Sequence, residues 1–318
     1  MKEKLKKFFI IADRTRGVFV DNAMNVYSGF AAFYLLLSLI PLIVVLVAAI
    51  GLISEDYLVS FSELMEEIFP SIPQVQSLLT GIMDNIRGIS ALVISVSAVS
   101  LLWSATSGVS AIQLGLNRIC SANQSMIKRR AACLLYTLVF IILIPVLIVF
   151  RVMRSSVIEL VKQLDEILQM PDIATKIVNV LENSGLLTFI AMFLIILLAY
   201  SVLPSRRRYW RYQIPGAVFT VLLWSLFSKI FDFFIIRFWS ASFLYGSLAA
   251  IFLLALWMNY IMIILFLGAS LNEALYEQGY WPETGGGYGK IKSGRRTLCV
   301  YLLFAMIGLA CILSKWIS

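Results

Sequence analysis

The chain contains no histidine, and only 14% of its 318 residues are charged. The first absence removes the commonest metal ligand and the commonest general base. The second excludes a soluble home, because a soluble domain carries about 25% charged residues. Cysteine is also scarce, at four residues. Cys133, Cys299 and Cys311 lie in apolar runs, and Cys120 sits beside the basic stretch "RICSANQSMIKRR". No CxxC pair or disulfide framework is visible, so these read as small buried hydrophobes. The start, "MKEKLKKFFIIADRTRG", is basic, but its apolar patch "FFII" is too short for a signal peptide and no small-residue cleavage site follows. Residues 1–26 read instead as a cytoplasmic amphipathic segment, with Phe8, Phe9, Ile10 and Ile11 on the membrane surface.

Apolar residues make up 60% of the chain. They come in runs of the length that crosses a bilayer, about 20 residues, and they do not alternate as barrel strands do. The fold class is therefore all-α, a polytopic helical membrane protein. Runs at 27–53, 89–113, 131–150, 185–204, 212–236 and 243–269 give a six-span core within residues 27–280. A glycine-rich basic linker, 281–296, leads to a seventh apolar run at 297–314 inside the C-terminal segment 297–318. Two connections carry a helical apolar period, "DYLVSFSELMEEIF" and "VIELVKQLDEILQM", and read as amphipathic helices on the outer surface.

Basic residues orient the spans. With alternate connections assigned to the cytoplasm, 18 of the 26 Lys and Arg fall inside, while 12 of the 18 acids fall outside. Lys and Arg stay preferentially on the cytoplasmic side, so the N-terminus belongs inside. The net charge of +8 is thus an orientation signal rather than a nucleic-acid surface, since every basic cluster abuts a span. Lys128, Arg129 and Arg130, and again Arg206, Arg207 and Arg208, are placed to attract anionic lipid headgroups.

The second span is unusual. Ser97, Ser100, Ser104, Ser107, Gly108, Ala111 and Gly115 recur at helical spacing and form one small, hydroxyl-bearing face. Lipid supplies no hydrophobic force between helices, so such a face is expected to pack against other spans. Gln113 and Asn117 follow at its cytoplasmic end. Long amides are costly in oil unless paired or wet, so they either cap a helix end or line a polar cavity. Pro41 lies mid-span and is a candidate kink. Asn259 lies deep in the sixth span, an interhelical hydrogen-bond partner or a site residue. Pro41, Ser104, Ser107, Gln113, Asn117 and Asn259 together form the candidate cavity or substrate path. "LLWSATS" and "LLWSLFS" are a faint echo between the second and fifth spans.

Four blocks, "YSGFAAFYLLLSLIPL", "LLWSATSGVSAIQLGLNRI", "RYQIPGAVFTVLLWSLFSKIF" and "YGSLAAIFLLALWMNYIMIILFLGASLNEAL", occur in this order. Together they resemble the YihY/virulence factor BrkB family of bacterial inner-membrane proteins. The resemblance implies a six-span core with both ends cytoplasmic and a link to serum resistance and export of envelope lipid or lipopolysaccharide. The name ribonuclease BN has been attached to the same family, but the cytoplasmic acids here are scattered at the two ends of the chain and no His pair exists. Where the family often reads Gly-Ala-Glu-Leu-Asn, this chain has Ser270 in place of the acid, with Glu273 as a nearby substitute.

The expectation is a bacterial plasma-membrane transporter or export factor for a lipid-like or amphiphilic envelope component. A scaffold protein of an envelope complex is the alternative, and a membrane enzyme has least support. No cofactor or catalytic residue is expected. Membrane lipids and envelope proteins are the expected partners, nucleic acid is not, and the sequence sets no oligomeric state. The orientation is directly measurable. With the four native cysteines replaced, a cysteine at Ser71 is expected to react with an impermeant maleimide in intact cells. One at Ser121 is expected to react only after the membrane is opened, and the reverse pattern would invert the topology.

Overall fold

The computed structural model describes residues 2–51, 91–122, 130–139, 184–206, 209–238 and 246–279, with residues 81, 141 and 161 standing alone. Among the described residues every element is helical. They are α1 (Lys2–Asp21), α2 (Met24–Gly51), α3 (Ala91–Ile119), α4 (Arg130–Val139), α5 (Ser184–Val202), α6 (Ile214–Phe238) and α7 (Gly246–Glu277). A single 3₁₀ turn, Trp210–Tyr212, leads into α6. Four of these helices are long and apolar enough to cross a membrane, with spans at Met24–Ala48, Leu92–Ile119, Ile214–Ile235 and Ile251–Glu277. Arg130–Val139 and Phe189–Val202 are shorter apolar helices. The run 297–314, both outer amphipathic stretches and Lys128, Arg129, Arg207 and Arg208 lie outside the described residues.

Successive helices reverse direction. The start of α2, the end of α3, the start of α4, the end of α5, the start of α6 and the end of α7 meet at one end of the bundle. Hydrogen bonds tie α3 to α4 and α5, α4 to α5, and α6 to α7 there. The most extensive pairing is α2 with α3, and α7 packs on both α2 and α6. Deep in the bundle Leu39, Ile43 and Val47 of α2 meet Phe231 and Ile235 of α6 and Leu253 and Trp257 of α7. At the gathered end Val18 and Phe19 of α1 join Leu116 of α3, Tyr200 of α5 and Phe266 of α7.

The hydroxyl stripe of α3 turns toward protein only in its later part. Ser104 is 3% exposed, and Gly108, Ala111 and Gly115 are buried, while Ser97, Ser100 and Ser107 are half-buried and Val93, Val96 and Val99 are exposed. Small residues there let α2 and α7 approach. A Cβ on Gly108 would sit 3.0 Å from Leu35, and one on Gly115 would strike the ring of Phe266. The tightest crossing is between α6 and α7, where Gly216 and Gly268 face each other. A Cβ on Gly268 would run into Thr220 and the Tyr200 hydroxyl, and one on Gly216 would run into the Gly268 carbonyl and Asn272. Close backbone approach replaces the hydrophobic effect as the cohesive force between spans.

Two helices are longer than the uncharged runs suggest. The second run ends at 113, but α3 continues to Ile119; the sixth ends at 269, but α7 continues to Glu277. Polar residues end a hydropathy run without ending a helix, provided their backbone stays paired. At 32 residues α7 is about 48 Å long, against a hydrocarbon core of about 30 Å. Its length therefore exceeds what the hydrocarbon alone requires. α1 docks on α7, with Ile11, Thr15, Val18 and Phe19 buried and Phe9 and Ile10 exposed. Ile11 thus faces the bundle rather than the membrane surface. Arg14 Nε donates to Glu277 Oε2 at 2.6 Å, and that hydrogen bond, with the attraction behind it, raises the guanidinium pKa. Both partners are more than a third exposed, so the pair adds little stability. Pro41 sits within α2, which remains helical through it.

Gly268→Ala is expected to lower stability by about 1–3 kcal/mol through overpacking, read as a lower melting temperature in detergent. Gly17→Ala, whose Cβ would meet only Asp21 at 3.9 Å, is expected to leave it unchanged or slightly raised.

Candidate functional site

The polar residues of the gathered end are positioned by the ends of α5 and α6. A helix leaves its last carbonyls and first N–H groups without partners. Gln113 of α3, 1% exposed, donates from Nε2 to the Leu203 carbonyl at 2.8 Å, just past the end of α5. Its Oε1 accepts from the Cys133 thiol of α4 at 2.8 Å. Tyr136 of α4 donates to the Val202 carbonyl at 3.0 Å, and the Ser205 N–H donates to Asn117 Oδ1 at 2.7 Å. Three side chains from two helices, Gln113, Asn117 and Tyr136, thus close the end of α5. Of the two roles open to Gln113 and Asn117, both side chains here act as interhelical caps.

A second clasp holds the start of α6. Asn272 Oδ1 accepts the Gly216 N–H at 2.7 Å, and Asn272 Nδ2 donates to Gln213 Oε1 at 2.9 Å. Tyr200 of α5 meets the Thr220 hydroxyl of α6 at 2.7 Å and also donates to the Leu265 carbonyl of α7. Ser270 is fully buried and returns its hydroxyl to the Phe266 carbonyl at 2.8 Å.

Between the clasps lies a partly open cleft of about 10 Å³, the room of one water. Its walls include Cys120, Tyr200, Pro204, Gln213, Asn272 and Glu273. Glu273 is 8% exposed, a carboxylate placed on the wall of a small cleft. The same end of the bundle is basic and aromatic. Arg118, Arg130, Arg206 and Arg211 are exposed, as are Tyr209 and Trp210 on the turn before α6. Tyr and Trp prefer the membrane–water interface.

The remaining path residues are not drawn into this cleft. Ser104 donates to the Ser100 carbonyl at 2.7 Å and Ser107 to the Trp103 carbonyl at 2.8 Å, each within α3. Ser104 lies nine positions from Gln113, about 14 Å along the helix. Asn259 lies 13 positions before Asn272, about 20 Å deeper. Its Oδ1 is buried without a hydrogen-bond partner and lies beside Gly29 of α2. Pro41 is farther along α2. Residues that the sequence left unweighted, namely Tyr200, Gln213, Thr220 and Asn272, complete the site. Their signal was a polar residue flanking each end of an apolar run, as in "RYQIPG" and "GASLN".

Comparison with known proteins agrees with this architecture. The family model described as virulence factor BrkB matches residues 15–286. The chain belongs to the BrkB family. A protein of Bacillus subtilis strain 168 named as ribonuclease-like protein YfkH is 24% identical over 263 residues, covering 80% of this chain and 91% of that one. A UPF0761 membrane protein of Vibrio atlanticus is 25% identical over 275 residues, covering 83% and 81%. A UPF0761 membrane protein of Haemophilus influenzae is 24% identical over 264 residues, covering 82% and 93%. No solved structure matches the chain. Like the two UPF0761 relatives, this BrkB-family chain is an integral membrane protein.

The clasps make a stability prediction. Gln113→Leu removes a cap and leaves the Leu203 carbonyl and the Cys133 thiol without it, so it is expected to cost about 1–3 kcal/mol. Thermal unfolding in detergent reads this. A side chain that merely bordered a wet cavity would give a neutral or stabilising Leu.

Proposed function

We propose that this BrkB-family protein moves, or helps to move, a lipid-like or amphiphilic component of the bacterial envelope, without covalent chemistry. The observation that carries the reading is the cleft whose wall holds the Glu273 carboxylate and the Gln213 and Asn272 amides, at the end of the bundle where exposed arginines and aromatics lie. Buried ionisable groups in membrane proteins mark substrate or ion paths more often than they serve packing. Asn259 adds to it: an amide oxygen without a partner near mid-span invites a hydrogen-bond donor from a passing polar group. Alternating access or a side-opening groove between α2, α3 and α7 would connect the two. In this reading the core spans six times and the clasped end faces the cytoplasm, because Arg118, Arg130, Arg206 and Arg211 gather there. The total absence of histidine favours transport over the hydrolysis suggested by the name of the Bacillus relative.

A scaffold role is the second reading. It is favoured by one observation, that Ser104, Ser107, Gln113 and Asn117 all make their hydrogen bonds within the protein. The two readings separate in reconstituted vesicles carrying a fluorescent phospholipid. Transport predicts lipid movement across the bilayer faster than in protein-free vesicles, and slowed by Asn259→Leu. No acceleration over protein-free vesicles, with Asn259→Leu tolerated in cells, would leave the scaffold reading.

A further inference from the structure

The helix α1 is tied to the bundle chiefly through one neighbour. It leans on α7 and packs little on α2 beyond the joint at Asn22 and Ala23. Ala23 holds a left-handed backbone, φ 56°, which breaks the helix between α1 and α2. The bundle side of α1 is a single edge of Ile11, Thr15, Val18 and Phe19, all buried at helical spacing. The other side still carries apolar groups, since Phe9, Ile10 and Val20 are exposed, and Arg14 and Arg16 are exposed with them. The first turns add Lys2, Lys4, Lys6 and Lys7, so α1 holds six Lys and Arg against Glu3, Asp13 and Asp21. A basic helix with apolar groups on two sides fits an anionic bilayer surface as well as it fits a bundle. That surface is near, because the span of α2 starts at Met24, four positions past Val20. On its bundle side α1 backs the cleft. Val18 and Phe19 belong to one buried cluster with Leu116, Tyr200 and Ala269, which line the cleft, and Cys120 of the cleft wall packs against that cluster. The Arg14–Glu277 pair closes this edge. It is exposed, so it sets position more than strength. A phosphate offers the guanidinium the same kind of acceptor oxygens as the carboxylate does.

We propose that α1 is a latch on the cleft, held on α7 by Arg14 and Glu277 and drawn off by an anionic bilayer surface that takes up its basic and apolar groups. Docked, α1 backs the cleft wall; released, it unpacks the wall that carries Cys120. The latch governs access to the cleft whatever the cleft holds, so it goes beyond the transport reading and does not rest on it.

The test follows alkylation of Cys120 by N-ethylmaleimide, read by peptide mass in the full-length Cys299→Ser, Cys311→Ser chain. Nanodiscs of phosphatidylcholine are compared with nanodiscs of phosphatidylcholine and phosphatidylglycerol. Alkylation is expected to be several-fold faster in the anionic discs, and the gain is expected to fade at high salt. A negative surface by itself works the other way, since it disfavours the reactive thiolate. Glu277→Arg is expected to react fast in both discs. The exchanged pair Arg14→Glu, Glu277→Arg is expected to return the slow rate in phosphatidylcholine. Equal wild-type rates in the two discs overturn the proposal, and so does a Glu277→Arg rate equal to wild type. Should Glu277→Arg fail to fold, Lys2→Gln, Lys4→Gln, Lys6→Gln and Lys7→Gln together leave Arg14, Glu277 and the buried edge of α1 in place. They are expected to abolish the gain in anionic discs and to keep the slow rate in phosphatidylcholine; an undiminished gain overturns the proposal. Lipid movement is not scored, so failure of the transport reading and failure of the latch are separate results.

Discussion

A helix that ends near hydrocarbon exposes carbonyls and N–H groups that water cannot reach, and each one left alone costs several kcal/mol. Here α5 ends and α6 begins at the same level of the bundle, so the demand is concentrated in one place. It is met by side chains borrowed from neighbours: Gln113 and Asn117 from α3, Tyr136 from α4 and Asn272 from α7. Such a cap works only at one height and one rotation. The register of α3 against α5, and of α7 against α6, follows from that requirement. The facing glycines Gly216 and Gly268 are the steric counterpart of the Asn272 clasp, since the bond needs the two backbones close. Hydroxyls elsewhere in the spans answer the same demand locally, as Ser28, Ser225 and Ser270 return to carbonyls of their own helices.

Much of this was readable from residue order. The apolar runs located α2 and α5 within a few residues, because a bilayer imposes length and composition directly. The hydroxyl face of α3 was readable too, since helical spacing alone puts Ser104, Gly108, Ala111 and Gly115 on one side. The ends of α3 and α7 were misjudged by 6 to 8 residues, because a hydropathy run stops at the first cluster of polar side chains while the helix does not. The backbone partners of Gln113 and Asn272 could not be read, because they lie 90 and 56 positions away in sequence. Backbone groups leave no mark in residue identity. The two tryptophans of the "LLWS" echo also part company: Trp224 stacks edge-on against Trp257, while Trp103 is exposed and touches Tyr34.

Polar groups near the end of α7 are divided by face. Ser270 is sealed in the bundle with its hydroxyl on the Phe266 carbonyl, and three residues on, Glu273 carries a carboxylate to a cleft wall. Side chains three apart on a helix lie on adjoining faces, so the same end of α7 turns a hydroxyl to its own backbone and a charge to the cleft.

The docking of α1 has a consequence for how the molecule is made. Arg14 and its partner Glu277 are separated by 263 residues, so α1 leaves the ribosome well before the helix it rests against. At bacterial or slower synthesis speeds of 5–20 residues per second, that is a delay of roughly 13–50 seconds. Throughout it the Ile11, Val18 and Phe19 surface has no α7 to cover it, and the nearest apolar shelter is the bilayer beside the translocation machinery. α1 can therefore act as a clamp on the bundle only after α7 has been made.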